Sequence, residues 1–188
     1  MSSADIIVVS GLPRSGTSLM MQMLQSGGIE IVTDQIREAD TDNPRGYMEY
    51  ETVKDLNKDK SWLPAIRGKA VKIISMLLFE LPPTERYRII FMDRDMDEVL
   101  ASQEAMLKRL NRPGAPRDKM ADAFGVHLDN LDEWLRKRPN MSVLKVSYKN
   151  LVSQPEAEAQ RVAEFLGRSL DITKMKAAVD PKLYRNRN

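Results

Sequence analysis

The chain has 188 residues, 42% of them hydrophobic and 30% charged, which is an ordinary globular composition and excludes collagen, coiled coil and extended disorder. Its 29 basic and 27 acidic residues leave a formal charge of only +2, so bulk nucleic-acid binding is excluded and any anion site must come from local clustering. The absence of cysteine excludes disulfides, thiolate metal sites and cysteine nucleophiles. In chain order, Ile6 to Val9 is an apolar run that reads as a buried strand. The turn GLPRSGTS, residues 11 to 18, follows it, and a helix over residues 15 to 26 carries Leu19, Met20, Met23 and Leu24 on its apolar face. Ile29 to Val32 is a candidate short strand that ends near Asp34. Segment 38 to 48, with Asn43-Pro44-Arg45-Gly46, is a loop that leads through Tyr47 and Met48 to Glu49 and then into a helix. Ala70 to Ser75 and Arg88 to Met92 read as strands, the second followed by a helix over 95 to 111 with Asp95 as N-cap and Glu98 as its capping-box partner. A Pro- and Gly-rich loop over 111 to 117 leads to a helix over 117 to 138, with Met120, Phe124, Leu128, Leu131 and Leu135 at helical spacing. Val143 to Val146 is a further strand, and a helix over 155 to 166 is closed by Gly167.

Strands alternating with helices predict a three-layer α/β/α fold with a central parallel sheet, and the length predicts one domain over residues 1–188. In such folds ligands sit beyond the carboxyl ends of the strands, so the strand-to-helix turns are where function is sought. No stretch reaches membrane-spanning length, and Ile6 to Val9 is too short for a signal peptide, so a soluble, cytoplasmic protein is expected.

The first turn carries the strongest chemical signal. Gly11 and Gly16 permit a tight backbone, the first amides of the helix converge on one point, and the helix dipole favours an anion there. Thr17 and Ser18 add hydroxyl donors and Arg14 adds a cation. An ordinary capped βα turn would account for the glycines and Ser15, but not for the convergence of Arg14, Thr17 and Ser18. The lysine of a Walker A kinase is missing: its position holds Thr17, and the cation stands three places earlier at Arg14. That arrangement suits a sulfuryl group, which carries less charge than a γ-phosphoryl and can be transferred without a metal. Pro13-Arg14-Ser15-Gly16-Thr17-Ser18 resembles the 5'-phosphosulfate loop of the sulfotransferase family, written P-[KR]-[ST]-G-T-[ST].

Arg94 stands where a strand meets a helix, and Ser102, seven residues after Asp95, returns to the same helix face. Without the first loop, an arginine paired with Asp93 or Asp97 and a solvent-facing serine would be the simpler account. The sulfotransferase family uses an arginine and a serine eight residues on to hold the cofactor's 3'-phosphate, and Arg94 and Ser102 have that spacing. Residues 68 to 95 are similar to the family's stretch from its catalytic lysine to this arginine, with Lys72 at the lysine. Ile74 stands where the cytosolic branch has its histidine base. Tyr148-Lys149-Asn150-Leu151, Pro155 and Phe165-Leu166-Gly167 look like the family's Y-E-D-L...P...F-L-G segment, whose tyrosine lies near the adenine. Lys149 and Asn150 replace the two acids. The family's C-terminal R-K-G element has no counterpart, and Arg185 and Arg187 are the residues that could replace it.

The resemblance covers most of residues 6 to 168, is nearest to compact bacterial sulfotransferases, and implies a phosphate-loop sulfotransferase fold. It implies 3'-phosphoadenosine 5'-phosphosulfate (PAPS) as co-substrate, no metal, and a small-molecule or glycan-type hydroxyl as acceptor. The acceptor's proton then needs a base. The single histidine, His127, reads as a helix-packing residue, and other branches of the family take a carboxylate from the segment after the first helix. That segment offers Asp34, Glu38, Glu49 and Glu51, with Glu49 ahead of Asp34 and Glu38 because a Pro-Gly turn leads into it. The twelve methionines, Met20, Met21 and Met23 among them, read as core packing in preference to an acceptor pocket. Two other functions compete: a phosphate-loop kinase for a small molecule or nucleotide, and a non-catalytic nucleotide-binding module.

Overall fold

The computed structural model describes residues 5–34, 36 and 46–180. Its sheet is built around β1 (Ile6–Gly11), in which all six residues are buried. β3 (Ala70–Lys72) and β4 (Tyr87–Asp93) pair with β1 on either side, β2 (Ile31–Val32) flanks β3, and β5 (Met141–Ser147) flanks β4. Every pair is parallel and the order is β2-β3-β1-β4-β5. A strand covered on both faces needs no polar alternation, which is why β1 is a continuous apolar run. Ile7, Val9, Ile90, Met92 and Val146 belong to a core cluster on one face with residues of α1 (Thr17–Ser26), α5 (Pro155–Leu166) and α6 (Ile172–Ala177). Ile6, Val8, Val71, Ile73, Ile89 and Phe91 belong to a second cluster on the other face, where Leu131 of α3 (Arg117–Arg136) joins them. The chain turns to β3 on one side of β1 and to β4 on the other, so the strand order reverses at β1, and the crevice at such a reversal is where open α/β sheets take ligands.

The expected elements are present with shifted ends. The first helix starts at Thr17 and not at Ser15, because Arg14 (φ 71°) and Gly16 (φ 100°) are left-handed and cannot be helical. The Ala70 to Ser75 strand stops at Lys72: the Ile73 amide still reaches the Val9 carbonyl at 3.0 Å, and the chain then turns into a 3-10 helix over Ser75–Glu80. α2 (Met96–Arg109) has Asp95 as its N-cap, with the side chain accepting the Glu98 amide at 3.2 Å. α5 opens on Pro155 and is closed by Gly167 at φ 61°. Two short helices had no sequence expectation: α4 (Tyr148–Ser153), capped by Ser147, and α6. Among the described residues no helix is long and apolar enough to cross a membrane.

Candidate active site

β1 delivers the chain into the loop through Gly11. A Cβ there would lie 2.4 Å from Ser15 Oγ and 2.7 Å from the Met92 carbonyl oxygen, so only glycine lets the loop fold back on the strand end. Gly16 is constrained twice, by its φ of 100° and by Tyr148, whose ring would stand 2.4 Å from an added Cβ. Ser15 is not the helix cap that an ordinary turn would make of it. Gly16 holds the cap position without a side-chain hydrogen bond, and Ser15 Oγ is fully buried with no hydrogen-bond partner among the described residues. The first-turn amides of α1 have no intrahelical acceptor, and no acidic side chain stands in that turn to compete for them. A buried orphan hydroxyl beside convergent amides fits an anionic ligand.

The loop is tied to the second element, and the ties run through named groups. Arg14 Nε donates to Ser102 Oγ at 3.0 Å, and Ser102 is buried. Arg94 Nη1 donates to the Arg14 carbonyl at 3.0 Å, while its Nε donates to Glu98 Oε2 at 2.9 Å. The Arg94 guanidinium also lies 4.5 Å from the centre of the Tyr148 ring. Arg94 therefore pairs with Glu98, not with Asp93 or Asp97, and Asp97 is instead bound by Arg117 at 3.0 Å. The reason is burial: the side chains of Arg94 and Glu98 are 8% and 7% exposed, and a buried guanidinium needs a counter-charge within reach, which the residue one helical turn on supplies. Ser102 faces the loop and not solvent.

On the other side of the loop stands Lys72. Strand alternation puts Ala70 and Lys72 on the α1 face of β3 and Val71 on the opposite face. Lys72 is 7% exposed, and its ammonium is surrounded by oxygens. It donates to the Tyr47 carbonyl, to Glu49 Oε1 at 3.1 Å and to Ser18 Oγ at 3.4 Å, and Ser18 Oγ donates to the same Tyr47 carbonyl at 3.1 Å. Lys72 thereby joins the strand end, the first turn of α1 and the segment carrying Glu49.

Of the acids considered as a base, Glu49 is thus the one beside Lys72. Asp34 has another occupation: its carboxylate accepts the Glu51 amide at 2.5 Å and the Ile36 amide at 3.1 Å. The Glu51 amide, and then that of Ile36, hold its carboxyl below the usual range and make it a weaker base. Thr33 Oγ1 and the Asp34 amide both donate to the Glu49 carbonyl, at 2.9 and 3.2 Å, so residues 33 and 34 brace the Glu49 segment. Glu51 itself pairs with Lys54 on the surface. Glu38, Arg185 and Arg187 lie outside the described residues. His127 packs as a helix residue, with Nε2 2.9 Å from Ser75 Oγ and its ring edge-on to Phe79. Met20, Met21 and Met23 are fully buried in the core. Two participants had no sequence expectation at this site. Glu98 was read as a capping-box acid, and the Tyr47 contribution is a backbone carbonyl that no residue type announces.

A parallel sheet whose first strand feeds a glycine turn and a helix N-terminus is the frame of the phosphate-loop α/β proteins. Within that class the chain belongs to the sulfotransferase domain family, which it matches over residues 4–182. It is 25% identical over 187 residues to sulfotransferase 1A1 of Mus musculus, covering 88% of this chain and 61% of that protein, so it spans less than two thirds of that relative. The fold is similar to mouse sulfotransferase SULT7A1 complexed with PAP (TM-score 0.60, 15% identity, 94% of this chain and 65% of that one). It is also similar to sulfotransferase STF9 from Mycobacterium avium (TM-score 0.58, 12% identity, 95% and 67%).

Proposed function

We propose that the chain transfers the sulfuryl group of PAPS to an acceptor hydroxyl. The observation that carries this reading is that one loop is bounded by two separate cation clusters. Lys72 meets it at Ser18, while Arg94 meets it at the Arg14 carbonyl and Arg14 itself reaches Ser102. A nucleotide with a single phosphate group needs only one such cluster, whereas one phosphorylated at both its 5' and 3' positions needs two. In this reading the 5'-phosphosulfate lies over the α1 amides, Ser15, Thr17 and Ser18 with Lys72 and Arg14 beside it, and Arg94 and Ser102 take the 3'-phosphate. Tyr148 packs its ring between Gly16 and Arg94 and so holds the loop against that arginine. The structural neighbour from mouse that carries PAP supports the same ligand class.

Lys72 stabilises the charge that collects on the 5'-phosphate oxygen as its bond to sulfur breaks, and the α1 amides share that load. Glu49 takes the proton of the acceptor hydroxyl as the new oxygen–sulfur bond forms on the opposite side of sulfur. The products are the sulfate ester and adenosine 3',5'-bisphosphate, and Glu49 returns its proton to water. Before the reaction Glu49 neutralises Lys72, which makes burial of that ammonium tolerable.

The test is transfer of label from sulfur-labelled PAPS to a panel of phenols, alcohols and sugars in the presence of a chelator. Wild-type protein labels at least one hydroxyl class. Glu49→Gln binds the bisphosphate as wild type does and loses about a hundredfold in rate, the usual scale for removing a general base. Full turnover by Glu49→Gln would take the base role from Glu49, and turnover of Mg-ATP in place of PAPS would replace the reading with that of a kinase.

A further inference from the structure

We infer that Glu98 is a positioning residue for 3'-phosphate recognition: it sets the plane of the Arg94 guanidinium and through it the discrimination between singly and doubly phosphorylated adenosine. The inference rests on the reading above, in which Arg94 faces the 3'-phosphate.

A carboxylate buried beside an anion site calls for a reason, since it repels the ligand and costs desolvation. The Asp95 side chain caps the helix through the Glu98 amide, and the Glu98 carboxylate bonds the Arg94 guanidinium. What Glu98 supplies is geometry. The guanidinium is held at Nε by Glu98 (2.9 Å), at Nη1 by the Arg14 carbonyl (3.0 Å) and across its face by Tyr148 (4.5 Å). Two in-plane bonds on different edges and one ring on the face leave the group a single orientation. Arginine recognises phosphate through that plane, by parallel N–H donors in a fixed fork, so an arginine free to rotate discriminates less well. The same contacts link α2 to the loop, because the Arg14 carbonyl that Arg94 grips belongs to a residue with a left-handed backbone, φ 71°.

Calorimetric affinities for adenosine 3',5'-bisphosphate and for AMP test this without knowledge of the acceptor. The quantity read is their ratio, because a variant that merely loosens the fold weakens both ligands alike. Glu98→Ala should lower the ratio about tenfold or more, the scale of a lost hydrogen bond to a charged group. Glu98→Gln, which keeps an oxygen acceptor for Nε, should stay within about threefold of wild type. In an Arg94→Ala background Glu98→Ala should change the ratio no further, as residues acting through one another require. Glu98→Leu serves as a second truncation that fills the space if the alanine variant does not fold. An unchanged ratio in the truncations, an equal loss for both ligands, or a full effect persisting without Arg94 would each overturn the inference. A wild-type protein without preference for the bisphosphate would instead remove the proposed function, and this inference with it.

Discussion

Lys72 and Arg94 are both buried cations beside the loop, yet their partners assign them different work. Lys72 is bound to Ser18, the Tyr47 carbonyl and Glu49, on the side where the proposed reaction breaks and makes bonds. Arg94 is bound to Glu98 and the Arg14 carbonyl, on the side that in the proposed function only holds the nucleotide. Lys72→Ala should therefore cut the maximal rate at saturating PAPS by about a hundredfold or more while bisphosphate affinity changes little. Arg94→Ala should weaken bisphosphate affinity and leave the maximal rate near wild type. Stopped-time assays and calorimetry on the same two proteins separate the cases, and a Lys72→Ala enzyme with an unchanged maximal rate would reduce Lys72 to a strand residue. Arg14 stands out in the sequence as the cation of a glycine turn, and Arg94 and Ser102 by their spacing around a strand-to-helix junction, whereas Lys72 is pointed to only by the family resemblance. Glu98 was not legible, because an acid in the first turn of a helix looks the same whether it serves the dipole, the cap or a neighbouring arginine.

At the scale of elements, α3 shows what periodicity does and does not convey. The spacing of Phe124, Leu128, Leu131 and Leu135 gave the helix and its inner face, and the structure buries Phe124 and Leu131 there. It could not say what His127 on that same face would meet, which is the Ser75 hydroxyl just after β3. Burial pushes the His127 imidazole below its ordinary range, so the folded chain holds it neutral. The unfolded chain protonates it near its usual value of about 6.5 and binds more protons below that pH. This contribution to stability is complete above about pH 6.5 and is lost as the pH falls through the folded pKa. Melting temperatures measured from about pH 7 to about pH 5 should therefore drop less for His127→Gln than for wild type, and parallel curves would show that the imidazole is not coupled to folding. The 3-10 helix at Ser75–Glu80 and the six-residue helices α4 and α6 escaped the sequence for a related reason: they are too short for a period to be told from a run.

Over the whole molecule, four neighbouring strands each deliver one part of the candidate site to the same edge of the sheet. β3 ends on Lys72, β1 runs into the loop, β4 leads to Arg94 and β5 leads to Tyr148. The sequence showed the loop, Arg94 and Tyr148 just after strands and Lys72 inside one, but their adjacency depends on the strand order, in which β3 and β4 flank β1 and β5 lies beyond β4. Local patterns do not carry that order, and only the family resemblance anticipated that the parts would meet. The central claim is that this edge holds an adenosine carrying phosphates at both ends of its ribose. Titration calorimetry of the wild-type chain with adenosine 3',5'-bisphosphate in the presence of a chelator tests it most directly. Binding at least about tenfold tighter than that of AMP, undiminished by the chelator, is the predicted result. Equal affinity for AMP and the bisphosphate, or tighter binding of Mg-ATP than of either, would contradict it.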